Sequence, residues 1–313
     1  MIGEFVNGSM VTGRLNMSGG GGRYFYEGDW QNNTFHGQGE LNNRKFHYKG
    51  QFSKGKMHGT GTVKFLLGSA PKIFPSKTVA SSSDDATPAE GNAVNDTTDA
   101  TSVEDASNLY HPEFTGEFRG GQPYEGSGYF RTATYSFNGT YTKGKKNGEG
   151  VLYHKDGEFQ QGLFQDDVLV RGTMGRTRSA LKHTGTFDKN GKLFGPGKIV
   201  MIDGRVLEGE FKEGTLLSPG KITYRDKSVY EGEHEKLVRH GQGVFTATNG
   251  SVYTGGFSQD DMHGEGVLVY SDGRKLEGTF QKGRLINGSG VLVLKDGGSY
   301  EGEYYDFIPV HVV

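Results

Sequence analysis

The sequence predicts an all-β protein, an elongated single-layer antiparallel meander of repeated β-hairpins. An aromatic-x-Gly-x-aromatic signature recurs, and its central glycines are 22 to 25 residues apart everywhere except between residues 50 and 116. A Gly-x-Gly signature follows most of these copies, and Asp-Gly or Asn-Gly pairs separate them. A fixed period in this range is typical of repeat arrays.

The first signature is clearest in the second half of the chain, as in Tyr230-Glu-Gly-Glu-His234 and Tyr253-Thr-Gly-Gly-Phe257. We name each copy by the central glycine of this signature. About 12 copies can be counted, with central glycines at Gly3, Gly28, Gly50, Gly116, Gly139, Gly162, Gly185, Gly209, Gly232, Gly255, Gly278 and Gly302.

Strand periodicity explains why each copy has this form. Alternation along a strand places Tyr230, Gly232 and His234 on one face, the ring face, and Glu231 and Glu233 on the opposite face. Because glycine has no side chain, a ring can lie flat over the backbone of a neighbouring strand. We therefore expect ring-over-glycine packing in place of a second layer, in a twisted ribbon on the order of 110 Å long.

Turn residues favour hairpins over helical crossovers. Pairs such as Asp203-Gly204 and Asn249-Gly250 lie between copies, where a two-residue turn needs positive φ at both positions. Lys54-Gly55 and Lys143-Gly144 mark a second turn inside each copy. Each copy is thus expected to be one hairpin, joined to the next as a meander.

These signatures resemble the MORN repeat, whose consensus is close to Y-x-G-x-W/F, a short basic turn and then H-G-x-G, as in His36-Gly-Gln-Gly39. The resemblance covers nearly the whole chain apart from residues 67–111 and implies a MORN solenoid. The chain departs from the consensus at Gln160, Val170 and Ser218, where we expect irregular or kinked copies.

The interval between Gly50 and Gly116 divides the chain into three predicted parts: repeats at 1–66, an insert at 67–111 and repeats at 112–313. Residues 70–113 carry eight acidic residues and two lysines among many Ser, Thr, Ala and Pro. This composition predicts an acidic flexible loop at an inter-repeat turn, with hydroxyls open to phosphorylation. An inert insertion at a turn is an equally open interpretation.

Composition argues against several function classes. The formal net charge of -2 provides no basic field for nucleic acid, and the absence of cysteine excludes disulfides and thiolate chemistry. The N-terminus lacks a leader pattern and no apolar run approaches the roughly 18 residues of a membrane span, so we expect a cytoplasmic protein. We expect no enzyme activity, no cofactor and no small-molecule substrate, because no segment outside the repeats is large enough for a catalytic domain.

Two features could be mistaken for chemical sites. The fragments Gly195-Pro-Gly-Lys198 and Ser218-Pro-Gly-Lys221 lack the spacing of a phosphate-binding loop, and isoleucine occupies the hydroxyl position. Histidines recur at one repeat position, where packing is expected; a zinc ion shared by two chains is the alternative, since one copy supplies too few ligands. These are His36, His58, His240 and His263.

The main predicted site is an aromatic stripe on the ring face that holds a helix or extended peptide in the groove of the twisted sheet. Phe211, which precedes the irregular Ser218, is expected to be exposed, although the same rings could instead form the core. The predicted partner-binding residues are Trp30, Phe52, Phe187, Phe211, Tyr230, Tyr253, Phe257 and Phe280.

A second predicted site is basic. Arg171, Arg176, Arg178 and Lys182 are not repeated, and we place them in a loop between copies, where they could bind an anion or a phosphoinositide. An ordinary exposed loop is the alternative interpretation.

The resemblance implies a non-enzymatic scaffold. MORN arrays occur in cytoskeletal and ciliary proteins such as radial spoke head proteins and protozoan MORN proteins, and in membrane tethers. We therefore expect a scaffold in a cilium, flagellum or other cytoskeletal assembly, built by homo- or hetero-association, with a phosphoinositide-binding tether as the alternative.

Overall fold

A computed structural model describes residues 2–19, 22–66, 112–293, 299–305 and 308–309. Within these residues all regular structure is β-strand, and no helix is present. The predicted all-β antiparallel meander is confirmed. The predicted acidic insert, residues 67–111, lies outside the described residues, so its character stays a prediction.

The chain forms two compact units, Met1–Gln122 and Pro123–Val313. The boundary between them does not coincide with the predicted insert at 67–111. The first unit contains β1 Ile2–Val6, β2 Ser9–Gly19, β3 Gly22–Gln31, β4 Thr34–Asn42, β5 Phe46–Ser53, β6 Lys56–Phe65 and β7 Glu113–Arg119.

The second unit begins within β8 Gln122–Arg131. It continues through β9 Tyr135–Thr142, β10 Lys145–His154, β11 Glu158–Gln165, β12 Val168–Arg176, β13 Lys182–Phe187, β14 Leu193–Val200, β15 Val206–Lys212, β16 Thr215–Leu216, β17 Gly220–Thr223, β18 Val229–Glu235, β19 Val238–Thr246, β20 Val252–Ser258, β21 Asp261–Val269, β22 Lys275–Gln281, β23 Arg284–Val293, β24 Ser299–Tyr305 and β25 Ile308–Pro309.

A row of glycines runs across the strands of each unit. In the first unit Gly28 pairs with Gly39, Gly39 with Gly50, and Gly50 with Gly61. Gly61 then pairs with Gly116, so β7 lies directly beside β6 although the insert separates them in sequence. The central glycines of successive copies are therefore brought into register by strand pairing.

The turns differ from the expectation in one respect. The turn inside most copies has positive φ at both central positions, as at Lys54 and Gly55, whereas the longer turn of the Gly185 copy has it only at Gly191. In the described Asp-Gly and Asn-Gly pairs between copies only the glycine has positive φ, as at Gly204 (φ 90°), whose N–H donates to the carbonyl of Met201. The prediction that the Asp-Gly pairs form two-residue turns is wrong. A longer turn needs one left-handed residue, and the Asp203 carboxylate accepts the N–H of Arg205 instead.

A β-bulge explains the first glycine of the Gly-x-Gly signature. Strand register shifts between Gly28 and Trp30, and on the facing strand Gly37 takes a left-handed φ of 59°. The carboxylate of Asp29 accepts the N–H of Gln38 at 2.8 Å, which satisfies a donor that the bulge leaves outside the ladder. The acid between the glycine and the second aromatic thus has a structural role.

Of the predicted irregular positions, Ser218 interrupts its strand. β15 pairs first with β16 and then with β17, which has only four residues, and Ser218 lies between the two short strands. Val170, in contrast, lies within the continuous strand β12.

Candidate binding surface

The ring face has a first layer of aromatic residues lying directly on glycine backbone. A β-carbon placed on Gly39 would lie 2.5 to 2.8 Å from the ring atoms of Tyr26, so no other residue fits beneath this ring. The Tyr26 hydroxyl donates to the carbonyl of Asp29 at 2.8 Å. The Tyr48 hydroxyl likewise donates to the carbonyl of Gln51, and burial raises the pKa of Tyr48 to about 12. Ring-over-glycine packing therefore holds, and the hydroxyl ties each of these two tyrosine rings to its own strand.

The predicted aromatic stripe belongs to this first layer and is buried. Tyr230 is 0% exposed, and Trp30, with the largest exposure of the set, is 9% exposed. The expectation that Phe211 is exposed is wrong: it is 3% exposed, because Leu216 pairs beside it in the hairpin. All eight side chains are core residues: Trp30, Phe52, Phe187, Phe211, Tyr230, Tyr253, Phe257 and Phe280.

A second layer on the same face remains accessible. Phe35 is half-buried and stacks on Tyr26 with ring centroids 3.8 Å apart. Met57 and Met262 are also half-buried and pair opposite the buried Phe52 and Phe257 in their hairpins. We name Phe35, Met57 and Met262 the second-layer residues. Sequence reasoning missed them, although each is an apolar residue that directly precedes a His-Gly pair.

The comparison with family models agrees with this geometry. The MORN repeat model matches residues 26–41, 48–65, 137–159, 238–252 and 253–273, each of which spans strands of one or two of the hairpins described above. The chain is a MORN repeat protein. A comparison with curated proteins found no relative that matches it.

In two MORN copies the second-layer position carries a cation. The Lys146 ammonium lies 5.0 Å from the centroid of the Tyr135 ring and 2.9 Å from the Asp167 carboxylate. The Arg239 guanidinium lies 4.6 Å from the centroid of the Phe245 ring and pairs with Asp260. Both cations are satisfied within the sheet by a ring and by an acid from the next hairpin turn.

Two further MORN copies cover their glycines with leucine. The Gly185 and Gly209 copies have His183 and Leu207 where other copies have a tyrosine. A β-carbon on Gly197 would lie 2.9 Å from Leu193, and one on Gly220 would lie 2.7 Å from Leu216. The cover therefore comes from the second strand of the hairpin instead of the first.

The opposite face carries charged pairs across strands. Lys198 lies 3.0 Å from Glu208, and Lys221 lies 2.8 Å from Glu231. Glu233 accepts the N–H of Gln242 at the bulge, as Asp29 does in its own copy. Glu231 and Glu233, two residues apart on this face, thus have separate structural partners.

The predicted basic loop is not one loop. Arg171 and Arg176 belong to β12 and Lys182 to β13, and only Arg178 lies in the turn between them. Register places Arg171 and Lys182 on the opposite face, whereas Arg176 shares the side of Gly172 and pairs with Glu158 at 2.8 Å. The loop assignment is wrong because the paired strands run to the turn on both sides; anion binding stays a prediction.

The two lysine-containing fragments and the four repeated histidines are not assembled into binding sites within the described residues. Residues 195–200 lie in β14 and Gly220–Thr223 forms β17, so neither lysine-containing fragment is a phosphate-binding loop. His58, His240 and His263 are exposed and His36 is half-buried. Within the described residues no three His, Asp or Glu side chains come together in a way that would hold a metal ion. The same part of the chain has no helix that is long and apolar enough to cross a bilayer.

Proposed function

We propose that this MORN array is a non-enzymatic scaffold that holds a helical or extended protein segment against the second layer of its ring face. MORN repeats often take part in protein or membrane interactions and are generally non-enzymatic. The observation that carries the proposal is that each unit holds half-buried apolar side chains beside buried rings, Phe35 and Met57 in the first unit and Met262 in the second.

Burial of the first layer gives the second layer a rigid support. Phe35 rests on Tyr26, Tyr26 rests on Gly39, and the Tyr26 hydroxyl is hydrogen-bonded to its own strand. An apolar side chain held on such a support loses little conformational freedom when a partner covers it. Binding energy concentrates in anchors of this kind.

We further propose that the assembly is cytoskeletal, with the cilium or flagellum as its location. The support is analogy: arrays built of MORN repeats serve as scaffolds in such structures. Localisation of a tagged chain in ciliated cells tests this, and a diffuse or plasma-membrane signal would contradict it.

The docking proposal is tested by changing the second layer without opening the core. Phe35→Ser and Met262→Ser remove accessible apolar surface, and Thr254→Ser on the opposite face is the matched control. We expect partner recovery from a cytoskeletal extract to fall about tenfold for the first two variants and to be unchanged for the control. Full recovery by variants that melt like the wild type would contradict the proposal.

A peripheral membrane tether is the second candidate. Arg171, Arg178 and Lys182 are exposed, and none of them has an ion pair within the described residues. Each basic residue near an anionic surface contributes about 1 kcal/mol. Neutralising these three should abolish pelleting with vesicles of phosphatidylserine and phosphatidylinositol bisphosphate. Arg176→Gln, which changes a residue already paired with Glu158, should have a smaller effect. Equal pelleting by all variants would exclude the site.

A further inference from the structure

One stretch of the ring face is polar, and its side chains have no hydrogen-bond partners among the described residues. Gln160, Met174 and His183 are direct cross-strand neighbours on β11, β12 and β13, and all three are half-buried. The same row continues into Leu152 on one side and Ile199 on the other, which are 4% and 7% exposed. The row therefore changes from buried apolar residues to accessible polar ones and back within five strands.

The position of these residues follows from the departures from the MORN consensus. In the Gly232 and Gly255 copies this row holds Tyr230 and Tyr253, which are buried on glycines. Gln160 and His183 take that place in the Gly162 and Gly185 copies. Leu193 covers the glycine pair of the Gly185 copy, so His183 is not needed there as a cover.

The polar groups of this stretch are not hydrogen-bonded within the part of the chain that the structure describes. Neither the Gln160 amide nor the His183 imidazole has a hydrogen-bond partner among the described residues. Burial lowers the pKa of His183, so the imidazole is neutral at neutral pH. The charged residues of β11 and β12 on this face, Glu158 and Arg176, are paired with each other at 2.8 Å. The stretch thus presents neutral donors and acceptors without a net charge.

A segment docked on the ring face would remove water from these groups. A half-buried amide or imidazole that loses water without gaining a hydrogen bond opposes binding. A wholly apolar segment is therefore disfavoured here, whereas a segment with matching polar groups is not. Gln160 and His183 are two strand spacings apart, about 9.6 Å, which sets the separation of the matching groups.

We propose that Gln160, Met174 and His183 form a specificity window that accepts a partner segment with neutral hydrogen-bonding groups at this point. The inference rests on the proposed ring-face docking and adds the chemistry of the partner. Asn, Gln, Ser and Thr side chains fit the window; Asp and Glu fit less well, because Arg176, the cation of β12 on this face, is already paired with Glu158. The flexible Met174 between the polar groups adapts to the apolar atoms of the partner.

The first step of the test locates bound peptides. The chain has no cysteine, so Met174→Cys and Thr173→Cys place single environment-sensitive fluorophores on the ring face and the opposite face. A random 20-residue peptide library displayed on phage is selected against the wild-type chain. Peptides that change the signal at position 174 but not at 173 dock on the ring face at the window. If no selected peptide does so, both ring-face docking and the window are overturned.

The second step tests the window alone. Q160L/H183L replaces both polar groups with the residue found elsewhere in this row, as at Leu152 and Leu207, so the melting temperature should not fall. We expect ring-face peptides to bind this variant about tenfold more weakly and to bind the opposite-face control Q161L/T184L as they bind the wild type. Changing the peptide's hydrogen-bonding residue to Leu should weaken binding to the wild type and restore it to Q160L/H183L. Equal binding to wild type and Q160L/H183L would overturn the window and leave ring-face docking intact.

Discussion

The Gly232 and Gly255 copies and the Gly185 and Gly209 copies lie in the same unit and cover equivalent glycines in different ways. We call the first pair the Tyr copies, because Tyr230 and Tyr253 lie on the glycines from the first strand of each hairpin. We call the second pair the Leu copies, because Leu193 and Leu216 reach the glycines from the second strand. The covering side chains in both pairs are between 0% and 4% exposed.

The difference shows that the fold requires an apolar cover over each glycine pair but does not fix the strand that supplies it. When the cover comes from the first strand, the second-strand position is free to carry Arg239 or Met262. When it comes from the second strand, the first-strand position is free to carry His183. The surface of the ring face thus depends on which strand covers the glycines.

Removing the side chain that covers a glycine pair should have the largest effect on the free energy of unfolding. We expect Tyr253→Ala to lower the free energy of unfolding by about 4 kcal/mol and Leu193→Ala by about 3 kcal/mol, since each leaves a cavity over backbone. Urea unfolding measures both, with Val244→Ala, 38% exposed on the opposite face, as the control. If Leu193→Ala costs no more than the control, leucine is not an equivalent cover.

Adding a methyl group beneath the cover should separate the two kinds of copy. In Gly243→Ala the new β-carbon would lie 2.5 Å from the Tyr230 ring, whereas in Gly197→Ala it would lie 2.9 Å from a terminal methyl of Leu193. A ring fixed by its hydroxyl gives way less readily than a leucine. We expect Gly243→Ala to destabilise by about 3 kcal/mol and Gly197→Ala by about 1 kcal/mol. Equal melting temperatures for the two variants would show that the covers are equally rigid.

The Leu copies lack the hydrogen bond that the tyrosine hydroxyl makes in the Tyr copies. The Tyr253 hydroxyl donates to the carbonyl of Gly256 at 3.0 Å in a buried position. We expect Tyr253→Phe to lower the unfolding free energy by about 1 kcal/mol. The Gly139 copy already carries Phe137 in this role, so the hairpin should form normally. A variant as stable as the wild type would mean that this hydrogen bond makes no net contribution.

The same hydroxyl makes stability depend on alkaline pH. Burial raises the pKa of Tyr253 from 10.0 to about 12 in the folded chain. Its contribution is complete below pH 10 and is lost as the pH rises towards 12, because the unfolded state releases the proton first. Tyr253→Phe should therefore lose less stability than the wild type between pH 9 and pH 11.5 in urea unfolding. If the wild type and Tyr253→Phe lose stability to the same extent over this pH range, the Tyr253 hydroxyl is not the cause of the pH dependence.

Replacing the residue at the second-layer position should have the smallest effect on the free energy of unfolding. Arg239→Met introduces the residue found at this position in the Gly50 and Gly255 copies, and it removes both the ion pair with Asp260 and the contact with Phe245. Since apolar replacement of a partly buried ion pair is often close to neutral, we expect a change within about 1 kcal/mol. Asp260→Asn alone should lower the free energy of unfolding more than Arg239→Met combined with Asp260→Asn. A loss above 2 kcal/mol for Arg239→Met would show that the cation is structurally required.

Much of the fold was predictable because its signals are local and repeated. Glycine spacing and alternation predict the hairpins, the meander and the packing of Tyr230 on glycine, and these predictions hold. The exposure of Phe211 was not predictable from its own copy, since Leu216 beside it completes the burial. The basic residues are separated because alternation sends Arg171 and Arg176 to opposite faces of one strand.

The sequence alone determined the period, the strand directions and the residue types on each face, because backbone geometry alternates side chains every residue and glycine marks bulges and turns. Only the tertiary structure decided how deeply each side chain is buried. Depth depends on which other side chain of the hairpin lies over a given residue, as Phe35 lies over Tyr26 and Leu193 over Gly197. The binding surface that we propose is therefore the second layer and the polar stretch between covers, because the aromatic residues that mark each repeat are buried.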